Sequence, residues 1–117
     1  MGYRSDVRSI IRGSTELVTA LMVRARMEGN KALESFDSYI TKEEIDADTE
    51  ISLEIDDIKW YVGDSDVRGW ERLLEIADEM QLEWEFIRSG EDYDDVDHRI
   101  GENTDSYEFW ISKTIMR

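Results

Sequence analysis

Between Glu91 and Asp105 the chain places seven carboxylates, with its one histidine, His98, beside Asp94, Asp95 and Asp97. Oxygen ligands this closely spaced are the chemistry of Ca²⁺ or Mg²⁺, and a histidine could join such a set. The spacing fails the EF-hand pattern. Counted from Asp92, the third position is Asp94, but the fifth is Val96 and the sixth is Asp97 instead of glycine. The expectation is therefore a solvated, self-repelling acidic loop with His98 on its surface and no bound metal or cofactor. A metal-dependent enzyme built around Asp92–His98 is the alternative.

Other catalytic patterns are missing from the chain. There is no cysteine and no G-x-S-x-G elbow to pair a nucleophile with His98. Paired-carboxylate catalysis draws no support from abundance, because carboxylates are everywhere in this sequence. The seven glycines fit neither G-x-G-x-x-G nor the P-loop spacing. The expectation is a protein that is not an enzyme.

Two further groups could bind something. Arg4, Arg8 and Arg12 recur at even spacing, which on a strand sets them on one face in steps of about 7 Å. Such a row could grip phosphate, with Trp60 or Trp110 stacking on a base. That describes a small-ligand binder, for instance a sponge for a nucleotide signal. The competing and favoured reading has the arginines paired with acids on neighbouring strands. Trp70 and Trp84 fall on apolar stripes and read as core. Trp110 falls on the polar side of its strand, between Glu108 and Ser112, where an exposed ring could anchor a partner.

These side chains need a scaffold, and the hydrophobic periodicity outlines one. Residues 3–12 alternate as a strand, which Gly13 ends. Ser14 is a good N-cap, and Leu17, Val18, Leu21, Met22 and Ala25 follow at helical spacing. The pattern predicts a helix over 15–28 and a shorter helical piece over 31–39. Residues 41–50 read as a charged loop. Ile51, Leu53 and Ile55 alternate as a half-buried strand. Ile58 and Trp60 have the opposite parity, so Asp56–Asp57 is either a bulge or a tight hairpin. A second amphipathic helix starts near Asp64 or Ser65 and carries Val67, Trp70, Leu73, Leu74, Ala77 and Met80. Strands are expected at 82–88 and 107–112, joined as a long antiparallel hairpin across the acidic loop. The sum is one α+β domain over 1–117: a mainly antiparallel sheet of about four strands with two main helices on one face. If Asp56–Asp57 is a hairpin, the order contains the ferredoxin-like arrangement.

Composition narrows the partners. Of 29 acidic residues, 26 follow Asn30, and only nine basic residues accompany them. The first thirty residues carry +2 and the rest −17. Twelve aromatic residues argue for a folded globule, so the charge must sit on a folded surface. Such a surface repels nucleic acid and anionic membrane and attracts basic proteins. The absence of cysteine fits a reducing compartment. No apolar run approaches the roughly 20 residues of a membrane span. A cytoplasmic location is expected.

The segments Tyr3-Arg4-Ser5-Asp6-Val7, Asp57-Ile58-Lys59-Trp60-Tyr61 and Glu85-Phe86-Ile87-Arg88-Ser89-Gly90-Glu91-Asp92 resemble a group of small acidic proteins of tailed bacteriophages. The resemblance implies an early or accessory phage protein acting in the bacterial cytoplasm. It supplies no catalytic residue to carry over. By analogy, such proteins block host nucleases, restriction systems or CRISPR complexes, some by imitating DNA.

The functional expectation is an inhibitor that docks an acidic, DNA-mimicking surface on a basic, nucleic-acid-binding host protein. Glu43, Glu44, Asp46, Asp48, Asp56 and Asp57 are expected to form one patch. Glu91, Asp92, Asp94, Asp95 and Asp97 are expected to form a second, with Trp110 as anchor. The oligomeric state stays open at this level.

Overall fold

A computed structural model describes residues 2–104, and every structural statement below concerns those residues. Strand β1 (Ser5–Ser14) buries Val7, Ser9 and Ile11 on one face and turns Asp6, Arg8, Ile10 and Arg12 to the other. It runs through Gly13, where a strand end was expected. Helix α1 (Thr15–Met27) begins under a side-chain cap, Leu17 N donating to Ser14 Oγ over 3.3 Å, and buries Val18, Leu21 and Ala25. Short helix α2 (Lys31–Ser35) is capped by Asn30, whose Oδ1 accepts from Ala32 N at 2.9 Å. A single 3₁₀ turn at Asp37–Tyr39 follows.

The next element corrects the charged-loop expectation. Residues 40–45 form strand β2 (Ile40–Ile45), joined to β3 (Asp48–Ile58) by the two-residue turn Asp46–Ala47. β2 is an edge strand, and only its first residue, Ile40, is even half-buried. It covers almost no core, so it carries no hydrophobic alternation to be read. At Asp56–Asp57 the chain makes the bulge and not the hairpin. Ser5 pairs with Ile58 and Val7 with Ile55, so the register slips, and Asp57 takes a left-handed φ of 57°.

Helix α3 (Ser65–Glu79) buries Val67, Trp70, Leu73, Leu74, Ile76 and Ala77. It crosses α2 closely at Gly69, where a Cβ would lie 2.6 Å from Ala32 N. Strand β4 (Glu83–Gly90) follows, then β5 (Val96–Ile100). β5 is the second correction: the 90–105 segment holds a strand where an acidic loop was expected. β4 pairs with β1 on one edge and β5 on the other, so its hairpin partner is β5 and not a strand at 107–112. Residues 107–112 themselves lie outside the described residues.

The sheet order is β2-β3-β1-β4-β5, and every neighbouring pair is antiparallel. The domain is α+β with five strands where about four were expected. Its first four strands, with helical crossovers between β1 and β2 and between β3 and β4, follow the split βαβ connectivity of the ferredoxin-like arrangement, and β5 extends it. The helices lie on one face, where α1, α2 and α3 share a core with Val7, Ile11, Ile51, Leu53, Ile55, Trp84 and Phe86. Trp70 is fully buried there. Its indole N–H donates to Ser9 Oγ at 3.0 Å, and Ser9 Oγ donates to the Glu85 carbonyl at 2.8 Å. That relay satisfies two polar groups that would otherwise be costly to bury. No helix is long and apolar enough to cross a membrane.

Candidate partner-binding surface

The strand directions sort the acidic residues into two groups at opposite ends of the sheet. One end holds the β2–β3 turn, with Glu43, Glu44, Asp46 and Asp48. The other holds the β3 bulge, the N-terminal segment and the β4–β5 turn. Asp56 and Asp57 therefore do not join the hairpin residues as expected. Nine residues of extended chain separate Asp48 from Asp57, roughly 30 Å. Asp56 and Asp57 lie instead at the end that carries the β4–β5 turn, where Asp57 comes close to Glu91. Pocket walls at this end are shared by Arg4, Asp57 and Glu91.

At the hairpin end the carboxylates are held out. Asp46 adopts φ 56° in the tight turn. Ala47 O accepts from Thr15 N at 2.9 Å, and the Thr15 and Thr49 hydroxyls meet at 2.9 Å, so the start of α1 pins the turn. Lys42 reaches Glu44 at 3.8 Å. Among the described residues, Glu43, Asp46 and Asp48 make no ion pair.

At the bulge end the acids are built into the fold. Asp95 accepts from Tyr3 Oη at 2.6 Å and from both terminal nitrogens of Arg88, at 2.8 and 3.2 Å. Arg88 Nη1 also donates to Ser5 Oγ at 3.2 Å. These partners, Arg88 first and the Tyr3 hydroxyl second, hold the Asp95 carboxyl down at about 2, against the modest opposing effect of desolvation. Taken alone, the Asp92 N–H that Tyr3 Oη accepts would lower the tyrosine's pKa. The bond to Asp95, desolvation and the carboxylate charges outweigh it, and the phenol lies above its ordinary value. Asp6 Oδ1 accepts from Asp57 N at 2.9 Å and fixes the bulge, while Glu91 accepts from the backbone N–H of Arg4. Arg8 holds Asp56 at 2.8 Å and Asp97 lies 3.3 Å from Arg99. Asp92 and Asp94 project from the turn without an ion pair among the described residues.

Arg8 lies between Glu54 and Asp56, and Arg12 between Glu50 at 3.5 Å and Glu83 at 3.1 Å. The favoured reading of the arginine row as cross-strand pairs therefore describes both residues. Arg4 Nη1 donates to the Asp57 carbonyl at 3.1 Å. Trp60 is buried, with its ring stacked on Phe36 at 5.6 Å and tilted against Phe86 at 5.8 Å, so it offers no stacking platform. Trp84 is buried as the stripe predicts, and its indole donates to Asp78 at 2.8 Å. Trp110 lies outside the described residues.

His98 is on the helix-free face of β5, and Asp97 is on the other. His98 Nε2 lies 2.6 Å from Glu85 Oε2, and Glu85 is 1% exposed with its second oxygen unsatisfied. Glu85 is therefore no part of the acidic surface, although it alternates along β4 with the core residues Trp84 and Phe86. Among the described residues, no group of three or more His, Asp or Glu is arranged to hold a metal ion.

Sequence reasoning missed Tyr3, Arg88, Asp6 and Glu85 as organisers of these acids. No local spacing announces them, because Tyr3 and Asp95 are 92 residues apart and His98 and Glu85 meet only through strand register. Comparison with protein-family models, with curated proteins and with solved structures finds no match to this chain.

Proposed function

We propose that this protein is a non-enzymatic, phage-type inhibitor that docks on a basic, nucleic-acid-binding host protein and excludes the nucleic acid. The supporting observation is the set of carboxylates that the fold holds out without a counter-charge. Glu43, Asp46 and Asp48 lie at one end of the sheet, and Asp92 and Asp94 at the other. Between these opposite ends of the sheet, β3 spans roughly 30 Å from Asp48 to Asp57, a length comparable to one duplex turn. A rigid body with negative charge at both ends can enter a groove shaped for phosphates and gain from the same counterion release. The resemblance to small acidic phage proteins supports a bacterial-cytoplasmic setting and a defence or nuclease system as target. Arg8, Arg12 and Trp60 are engaged inside the molecule, which removes most of what a nucleotide sponge would use.

The test is competition. A basic protein captured from bacterial lysate should lose binding steeply between about 0.05 and 0.2 M salt, and duplex DNA should displace it. Binding that is indifferent to salt and unaffected by DNA sinks the reading.

A further inference from the structure

β5 ends the sheet order, so among the described residues one of its edges has no partner strand. Natural edge strands are guarded by charged side chains, proline, a bulge or short length. β5 is short and charged, but its Asp97 and Arg99 carry opposite signs, a guard against an unlike strand that an inverted copy of β5 satisfies. Its five residues, Val96-Asp97-His98-Arg99-Ile100, are complementary to their own antiparallel copy. A two-fold axis at His98 sets Val96 against Ile100 of the second copy and Asp97 against its Arg99. The alternation keeps like with like. Val96 and Ile100, 41% and 38% exposed, share the helix-free face, while Asp97 and Arg99 share the helix face.

The flank of α3 above this edge has the same property. Arg68, Glu71, Arg72 and Glu75 line one open groove with Asp97 and Arg99. Within one copy Arg99 already holds Glu71 at 2.6 Å and Arg72 holds Glu75 at 2.8 Å, so an inverted second copy extends these pairs and does not create them, setting Arg68 against Glu75 and Glu71 against Arg72. Arg68 makes no ion pair among the described residues. The other edge strand behaves oppositely. With the helices kept on one face, a β2–β2 pairing centred in the strand sets Lys42, Glu43 or Glu44 against itself, and like charges directly opposed are destabilising.

We infer that β5 is a self-association edge through which two copies of this chain form a two-fold dimer with a continuous ten-stranded sheet. The interface is small, so the dimer is weak and concentration-dependent. Two bodies of formal charge −15 repel one another, so added salt strengthens this association. Binding to a basic partner weakens with salt, and the two ideas therefore fail separately.

Sedimentation equilibrium of the full chain at about 0.05 and 0.5 M NaCl tests it. Wild type should dimerise at high concentration, more so in the higher salt. Asp97→Arg and Arg99→Asp should each raise the dissociation constant at least tenfold, and an equimolar mixture should recover a heterodimer. Circular dichroism checks that each variant is folded. Because the chain has no cysteine, His98→Cys supplies a second readout: mild oxidation should link two copies through that one position. A wild type that stays monomeric at about 1 mM in the higher salt overturns the inference. So does a dimer unchanged by Asp97→Arg, or a folded His98→Cys chain that fails to cross-link.

Discussion

The two ends of the sheet use the same residue types for opposite purposes. At the bulge end, Asp95, Asp6 and Glu91 are acceptors for Arg88, Tyr3, the Asp57 amide and the Arg4 amide. They tie the N-terminal segment, the β3 bulge and the β4–β5 turn together. At the hairpin end, Glu43, Asp46 and Asp48 tie nothing together; the turn is held by backbone and threonine contacts behind them. Acid count does not separate a structural carboxylate from one displayed to a partner. The presence or absence of donors around it does.

The largest expected effect sharpens this difference. Arg88→Ala removes two hydrogen bonds to Asp95 and one to Ser5 from a side chain only 18% exposed. A thermal melt should show a fall in midpoint on the order of 5 °C, the size expected from losing a charge-assisted pair in a domain of this length. Neutralising the other end should leave the fold alone. Glu43→Gln, Asp46→Asn and Asp48→Asn together should change stability by no more than about 0.5 kcal/mol. The same triple variant should weaken partner binding roughly tenfold at low salt. If that variant melts early, or Arg88→Ala melts like wild type, the contrast between the ends is lost.

Acid titration tests the bulge end a second time. The folded carboxyl of Asp95 sits at about 2, below its unfolded value, so its pairing stabilises the fold fully above the ordinary aspartate range. That contribution disappears as pH falls from about 4 toward 2. The gap between wild type and Arg88→Ala in urea midpoint should therefore be wide at about pH 5 and close toward about pH 2. The smallest effect concerns the turn itself. Asp46 pays the steric cost of φ 56°, so Asp46→Gly should raise the urea midpoint by the equivalent of about 0.5 kcal/mol.

Elements that bury a face were legible in the sequence. β1, α1, β3, α3 and β4 all carry the period of two or 3.6 that burial imposes, and their bounds fall within a few residues of the expected ones. The edge strands were not. β2 has no buried side to write a pattern with, and the alternation of Val96, His98 and Ile100 in β5 was hidden among aspartates that mark loops. The acidic residues themselves were visible at once, but their grouping was not. Asp56 and Asp57 are close in sequence to Asp48, yet an extended strand carries them to the far end of the molecule.

What the sequence determined alone was local: the composition of the surface, the apolar stripes, the capping serine and the two-way choice at Asp56–Asp57. Each depends on neighbours within a few positions, where spacing and backbone geometry act directly. The tertiary structure decided which carboxylates meet a donor and which meet water. That depends on register between strands distant in the chain, because Coulomb and hydrogen-bond energies fall off within a few ångströms and are blind to sequence order.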